Sequence, residues 1–179
     1  MTVPNSQQPY AGPQAGAGPL RVTPASPLFL REDEIRRGIE LLYFGYTAMI
    51  RGADAILEAQ GLGRAHHRAL YFIARRPGLT VKELIGLLGI TKQSLGRVLG
   101  DLNGRTLVEQ NIGTSDRRQR LLSLTPTGAA LESRLFAELE RSMARAYGEA
   151  GQQAVTGFWA VLLGLVPPNN RPQVEALQG

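Results

Sequence analysis

Four polar side chains crowd into the six positions from Lys92 to Arg97: Lys92, Gln93, Ser94 and Arg97. An amide and a guanidinium are the groups whose donors and acceptors match adenine and guanine edges in a duplex major groove. An ammonium and a hydroxyl suit phosphate oxygens. Further along, Asp116, Arg117, Arg118 and Arg120 put three guanidiniums and a carboxylate around a turn. Asp116 is spaced to pair with Arg118 and hold it extended. This chemistry is binding by hydrogen bond and charge, with no bond making. The chain has no phosphate-cradling glycine loop, no G-x-S-x-G, no H-E-x-x-H and no cysteine nucleophile, so an enzyme is not expected. His66 and His67 are adjacent; on a helix they point about 100° apart and make poor partners on one metal. They read as solvent-facing or pocket-lining, and no metal or cofactor is expected.

The elements that must position these groups are short and well punctuated. Thr80 is a candidate N-cap with Glu83 three residues on, a capping box, and Val81, Leu84, Leu87 and Leu88 follow at helical spacing. Gly89 is placed to end that helix in a left-handed cap, and Thr91 to start the next. In the second helix Leu95, Val98, Leu99 and Leu102 form the apolar stripe, and Gln93, Gly96, Arg97, Gly100 and Gly104 lie opposite. Each interior glycine costs about 1 kcal/mol relative to alanine. Three of them four apart predict a face that something approaches closely; the alternative is a glycine-tolerant solvated face. Next come two strand-like runs, Leu107–Gln110 and Arg120–Leu124, flanking NIGTSDRRQ. Two close helices followed by a basic hairpin make a winged helix-turn-helix, which lays its second helix in the major groove. Thr80, Thr91 and Ser94 then become candidate phosphate contacts beside helix N-termini. Gln93 and Arg97 become base readers, Arg118 a minor-groove contact oriented by Asp116, and Arg117 and Arg120 phosphate contacts.

The run DRRQRLLSLTPTG, Asp116 to Gly128, is similar to the wing motif of the MarR family of bacterial transcription regulators: D-x-R, a hydrophobic strand, then L-T-x-x-G opening a long helix. With the helical patterns on either side, the resemblance covers about residues 30 to 165. The segment ITKQSLGRVL resembles a PetP-like branch. The resemblance implies a symmetric homodimer whose first and last helices form the dimer layer, and a palindromic double-stranded DNA operator. It also implies a small, often aromatic ligand between that layer and the DNA-binding lobe. The absence of cysteine removes the oxidation switch that some members use.

Charge agrees with this placement. Residues 64–120 hold eleven Lys and Arg against four Asp and Glu, whereas the rest holds nine against eleven. A localised basic surface is the footprint of nucleic-acid binding. Absence of cysteine fits a reducing cytoplasm. No run of about 18 apolar residues appears, so no membrane partner is expected, and no signal peptide is read at the N-terminus.

In order, the chain reads as a proline-rich tail, residues 1–27, too poor in apolar groups to offset ordering entropy. A dimerisation helix spans 28–63, the DNA-binding lobe 64–125, C-terminal dimerisation helices 126–166, and a loose tail 167–179. The expected fold is mainly α with a small β-hairpin wing: a winged helix-turn-helix plus a helical dimerisation layer. The first helix and the last two are apolar beyond what one small winged domain covers, which predicts packing across a two-fold axis rather than one larger monomeric core. Tyr43, Tyr46, His67 and Tyr71, with Phe44 and Phe72, gather aromatic groups near the junction of the first two helices, either as a ligand pocket or as core. The competing functional class is a protein-interaction module that uses the winged helix as a docking surface.

Overall fold

The computed structural model describes residues 26–113 and 119–177. The chain divides into a small first unit, Met1–Leu41, and a large second unit, Leu42–Gly179.

In the first unit, a single 3-10 turn, Pro27–Leu30, precedes helix α1, Glu32–Glu58, which continues into the second unit. Glu32, Asp33 and Glu34 occupy the first turn of α1, where the helix dipole favours negative charge. Leu28, Phe29, Leu30, Ile35, Ile39 and Leu41 of this unit are exposed.

The second unit holds the core. α1 contributes Ala53 and Leu57, and ends in a turn with Gly61 at φ +61°. Helix α2, Arg64–Arg75, follows Gly63, whose amide finds its cap on His66 Nδ1. Strand β1, Leu79–Thr80, leads into α3, Val81–Leu88, then α4, Lys92–Gly104, strands β2, Val108–Ile112, and β3, Arg120–Leu124, and helix α5, Pro126–Ala150. Helix α6, Gln152–Leu165, follows after Gly151. One apolar cluster joins Leu70 and Ile73 of α2, Leu84 of α3, Leu95 and Leu102 of α4, Leu122 of β3 and Leu135 of α5.

The mainly-α fold with a β wing is as expected, but the sheet has three antiparallel strands, ordered β1-β3-β2. Leu79 pairs with Leu122, and Val108 through Ile112 with Leu124 through Arg120. A two-residue strand carries no periodicity of its own, and β2 runs two residues past the expected Gln110. α5 runs on through Gly148 and stops at Gly151, whose φ of +80° ends the helix. The tail after Pro167 is not loose: a 3-10 turn, Pro168–Asn170, and helix α7, Arg171–Glu175, fold back on the lobe. The Arg75 guanidinium donates to the Leu177 carbonyl, and Gln173 Nε2 lies 3.7 Å from where a Cβ on Gly86 would stand. Pro168 and Pro172 sit in the first turns of these two elements, where a missing N–H costs nothing.

Candidate nucleic-acid interface

α3 and α4 are built by local rules. Thr80 Oγ1 accepts from the Glu83 amide at 3.2 Å, and Glu83 Oε2 accepts from the Thr80 amide at 2.8 Å. Arg76 pairs with Glu83 Oε1 at 3.0 Å. The Thr80 hydrogen bonds, with lesser help from Arg76, hold the Glu83 carboxyl below the usual range. Gly89 takes φ +61° and its amide donates to the Ile85 carbonyl, closing α3 as a left-handed cap does. Thr91 Oγ1 accepts from the Ser94 amide at 3.1 Å and starts α4.

α4 has two unlike faces. Leu95, Val98, Leu99 and Leu102 are buried, with Leu95 and Leu102 at 0% exposure. Lys92, Gln93, Ser94 and Arg97 are exposed. Among the described residues the side chains of Lys92, Gln93 and Arg97 make no hydrogen bond or ion pair within the chain. A Cβ added at Gly96, Gly100 or Gly104 would meet nothing within 4 Å. The helix is thus fixed by its apolar face, and its other face stands open with its donors unspent.

The hydroxyls sort themselves by what their single proton does. The Thr80 hydroxyl donates to Glu83 Oε2 at 2.7 Å and the Thr91 hydroxyl to Ser94 Oγ at 2.9 Å. Both are committed internally, so they shape helix starts and offer a phosphate nothing without rotating. Ser94 accepts from Thr91 and keeps its own proton to give. In the wing, Arg120 is exposed at the start of β3, opposite Ile112. Across that sheet, Ser123 Oγ donates to Glu109 Oε1 at 3.0 Å and Asn111 Nδ2 to Ser123 Oγ at 3.3 Å, a polar link that fixes the strand pair. Asp116, Arg117 and Arg118 lie outside the described residues.

Of the four aromatic and histidine positions read as a ligand pocket, Tyr71 is the one that lines an open cleft. Tyr71 lines an open apolar cleft of about 380 Å³ with Met49, Phe136, Met143 and Tyr147. Tyr43 and Tyr46 are exposed on α1, and His67 is buried beside the core at 9% exposure. Burial pushes the His67 imidazole below its ordinary pKa, and the carboxylate of Asp54 offsets this in part. Tyr43 and Tyr46 lie within electrostatic range of Arg64 at the start of α2, and neither lines the cleft of Tyr71. The cleft's α5 and α1 walls, Phe136, Met143, Tyr147 and Met49, were missed because each also fits an ordinary core stripe.

Among the described residues there is no group of three His, Cys, Asp or Glu side chains able to hold a metal, and no helix long and apolar enough to cross a membrane.

Comparison with known proteins places this geometry. A model of the MarR family matches residues 60–119, the stretch from the end of α1 to the wing. The HTH-type transcriptional regulator PetP of Rhodobacter capsulatus is 46% identical over 151 residues, covering 84% of this chain and 91% of that protein. Among solved structures, a MarR-family transcriptional regulator from Silicibacter pomeroyi matches with a TM-score of 0.58 at 25% identity, over 68% of this chain and 82% of that one. A mutant MarR from E. coli complexed with operator DNA matches with a TM-score of 0.59 at 22% identity, over 79% of this chain and all of that one (100%).

Proposed function

This chain belongs to the MarR family of transcriptional regulators, and from that premise we propose that it works as a homodimer that binds a palindromic double-stranded DNA operator. The open face of α4 carries the proposal: Gln93 and Arg97 exposed and unspent, with open space in front of Gly96 and Gly100. Gln93 and Arg97 read base edges, and Lys92 and Ser94 donate to phosphates. Thr80 and Thr91 act by setting the helix starts whose amides face the backbone. In the wing, Arg118, oriented by Asp116, enters the minor groove, and Arg117 and Arg120 contact phosphates. A relative of the same fold has been solved on operator DNA, which supports this mode of binding.

Two exposed apolar helices support the dimer. α6 exposes Phe158, Trp159, Val161, Leu163 and Leu165, and the first unit separately exposes Ile35, Ile39 and Leu41. Single exposed apolar residues are ordinary, but rows of them mark an interface. Two copies then present two α4 helices about one helical turn apart.

The cleft of Tyr71, Met49, Phe136, Met143 and Tyr147 takes a small aromatic ligand. Such a ligand alters DNA binding only if it has unequal affinity for the DNA-bound and free arrangements. The test of the whole reading is a duplex-binding titration at several salt concentrations, with sedimentation to fix the stoichiometry. A steep fall in affinity with salt and two chains per duplex are expected; salt-insensitive or single-chain binding contradicts it.

A further inference from the structure

The connection between α1 and α2 and the flank of α4 are joined by polar contacts that have no part in the interface itself. Arg105, which follows α4, donates from Nη1 to the Gln60 carbonyl at 2.6 Å. Its Nη2 stands 3.6 Å from where a Cβ on Gly61 would be. Four residues earlier, Asp101 Oδ2 lies 3.1 Å from His66 Nε2. The other ring nitrogen, Nδ1, accepts from the Gly63 amide at 3.0 Å. A neutral imidazole has one donor and one acceptor nitrogen. Because Nδ1 receives a proton donor, Nε2 carries the hydrogen and gives it to Asp101. One tautomer satisfies both ends.

We infer that His66, Asp101 and Arg105 form a clamp that fixes the orientation of α4 against the α1–α2 connection and the start of α2, and that His66 and Arg105 are positioning residues for DNA recognition. This rests on the reading of α4 as the recognition helix. Asp101 and Arg105 are four apart and so share one side of the helix. At about 100° per residue that side is roughly 80° round from Gln93, a flank of the open face and not its centre. An exposed pair adds little to fold stability, and the Asp101 side chain is 61% exposed. What the clamp supplies is geometry: it ties the recognition helix to the α1–α2 connection and the first turn of α2, and it engages a carboxylate that would otherwise stand free beside the phosphates.

The experiment measures affinity for an operator duplex and for a shuffled duplex of equal length, with thermal melts of each protein. His66→Ala removes both bonds; operator affinity is expected to fall about threefold to tenfold, the worth of one or two hydrogen bonds, with shuffled binding unchanged. His66→Gln restores the affinity, since its amide oxygen can accept from Gly63 while its nitrogen donates to Asp101. Arg105→Ala, at an exposed site, lowers operator affinity without changing the salt slope. The inference is overturned if His66→Ala binds the operator like the parent. It is equally overturned if His66→Gln is as weak as His66→Ala, if both duplexes lose affinity in step with lost folding, or if Arg105→Ala reduces the salt slope by about one, the mark of a phosphate contact. Failure of the parent protein to distinguish operator from shuffled duplex overturns the recognition-helix reading first, and the clamp with it.

Discussion

Gly128 lies so close to Leu107 that a Cβ on the glycine would sit 1.8 Å from the Leu107 carbonyl oxygen. The contact is backbone against backbone, so no side chain can swing away to relieve it. It explains the LTPTG run. Thr125 Oγ1 donates to the Thr106 carbonyl at 2.6 Å and accepts from the Gly128 amide at 3.0 Å, which brings the first turn of α5 down onto the start of β2. Gly128→Ala is expected to destabilise the fold by about 3 kcal/mol, the upper end of overpacking costs. Gly148→Ala, in the same helix with nothing within 4 Å, is expected to gain about 0.5–1 kcal/mol. Denaturant titration of the two variants checks the contrast; equal effects would refute it.

Gly100→Leu separates stability from binding. Nothing stands within 4 Å of Gly100, and leucine is the better helix former by roughly 0.8 kcal/mol. The variant should melt no lower than the parent yet bind DNA more weakly, because the added side chain fills the space the duplex needs. Unimpaired binding would return the glycine row to a merely tolerant solvated face.

His67 gives the protein an acid sensitivity. Its folded pKa lies below the free value, so the unfolded chain binds the proton more readily. That contribution to stability is complete above about pH 6.5, the free histidine value, and is lost as pH falls through the folded pKa. Melting temperatures between pH 7.5 and 5.5 should therefore fall in the parent and fall less in His67→Leu. Identical slopes would contradict the burial argument.

The arginines divide by role. Arg97→Ala should cost about 1–3 kcal/mol on the operator and relax preference at one base pair, whereas Arg120→Ala should weaken all duplexes alike and reduce the salt slope by about one. Arg118→Ala should weaken binding while the dimer stays intact. Salt-controlled titrations with sedimentation assign each; unchanged affinity removes that arginine from the interface.

What could be read from sequence was local. The capping box of Thr80 and Glu83, the left-handed Gly89 and the stripe from Leu95 to Leu102 each depend on neighbours within one or two turns, and each stands as the sequence implied. The missed features join distant residues. β1 exists only through its pairing with Leu121 and Leu122, and Arg105 reaches Gln60 across 45 positions. The tail helix is held by Arg75, 102 residues before Leu177. The Gly128 motif was visible, but its cause, the Leu107 carbonyl, was not. Tyr43 and Tyr46, grouped with Tyr71 by their nearness in sequence to one junction, are not among the residues lining its cleft.

The central claim is that a dimer presents two α4 faces to a palindromic duplex, and selection of bound sequences from random duplex DNA at one near-physiological salt concentration tests it most directly. The account predicts an enriched palindrome with half-sites about one helical turn apart, lost when Arg97 is replaced by alanine. Salt-sensitive binding with no enriched sequence, or no binding at all, would contradict it and favour a winged helix that docks protein.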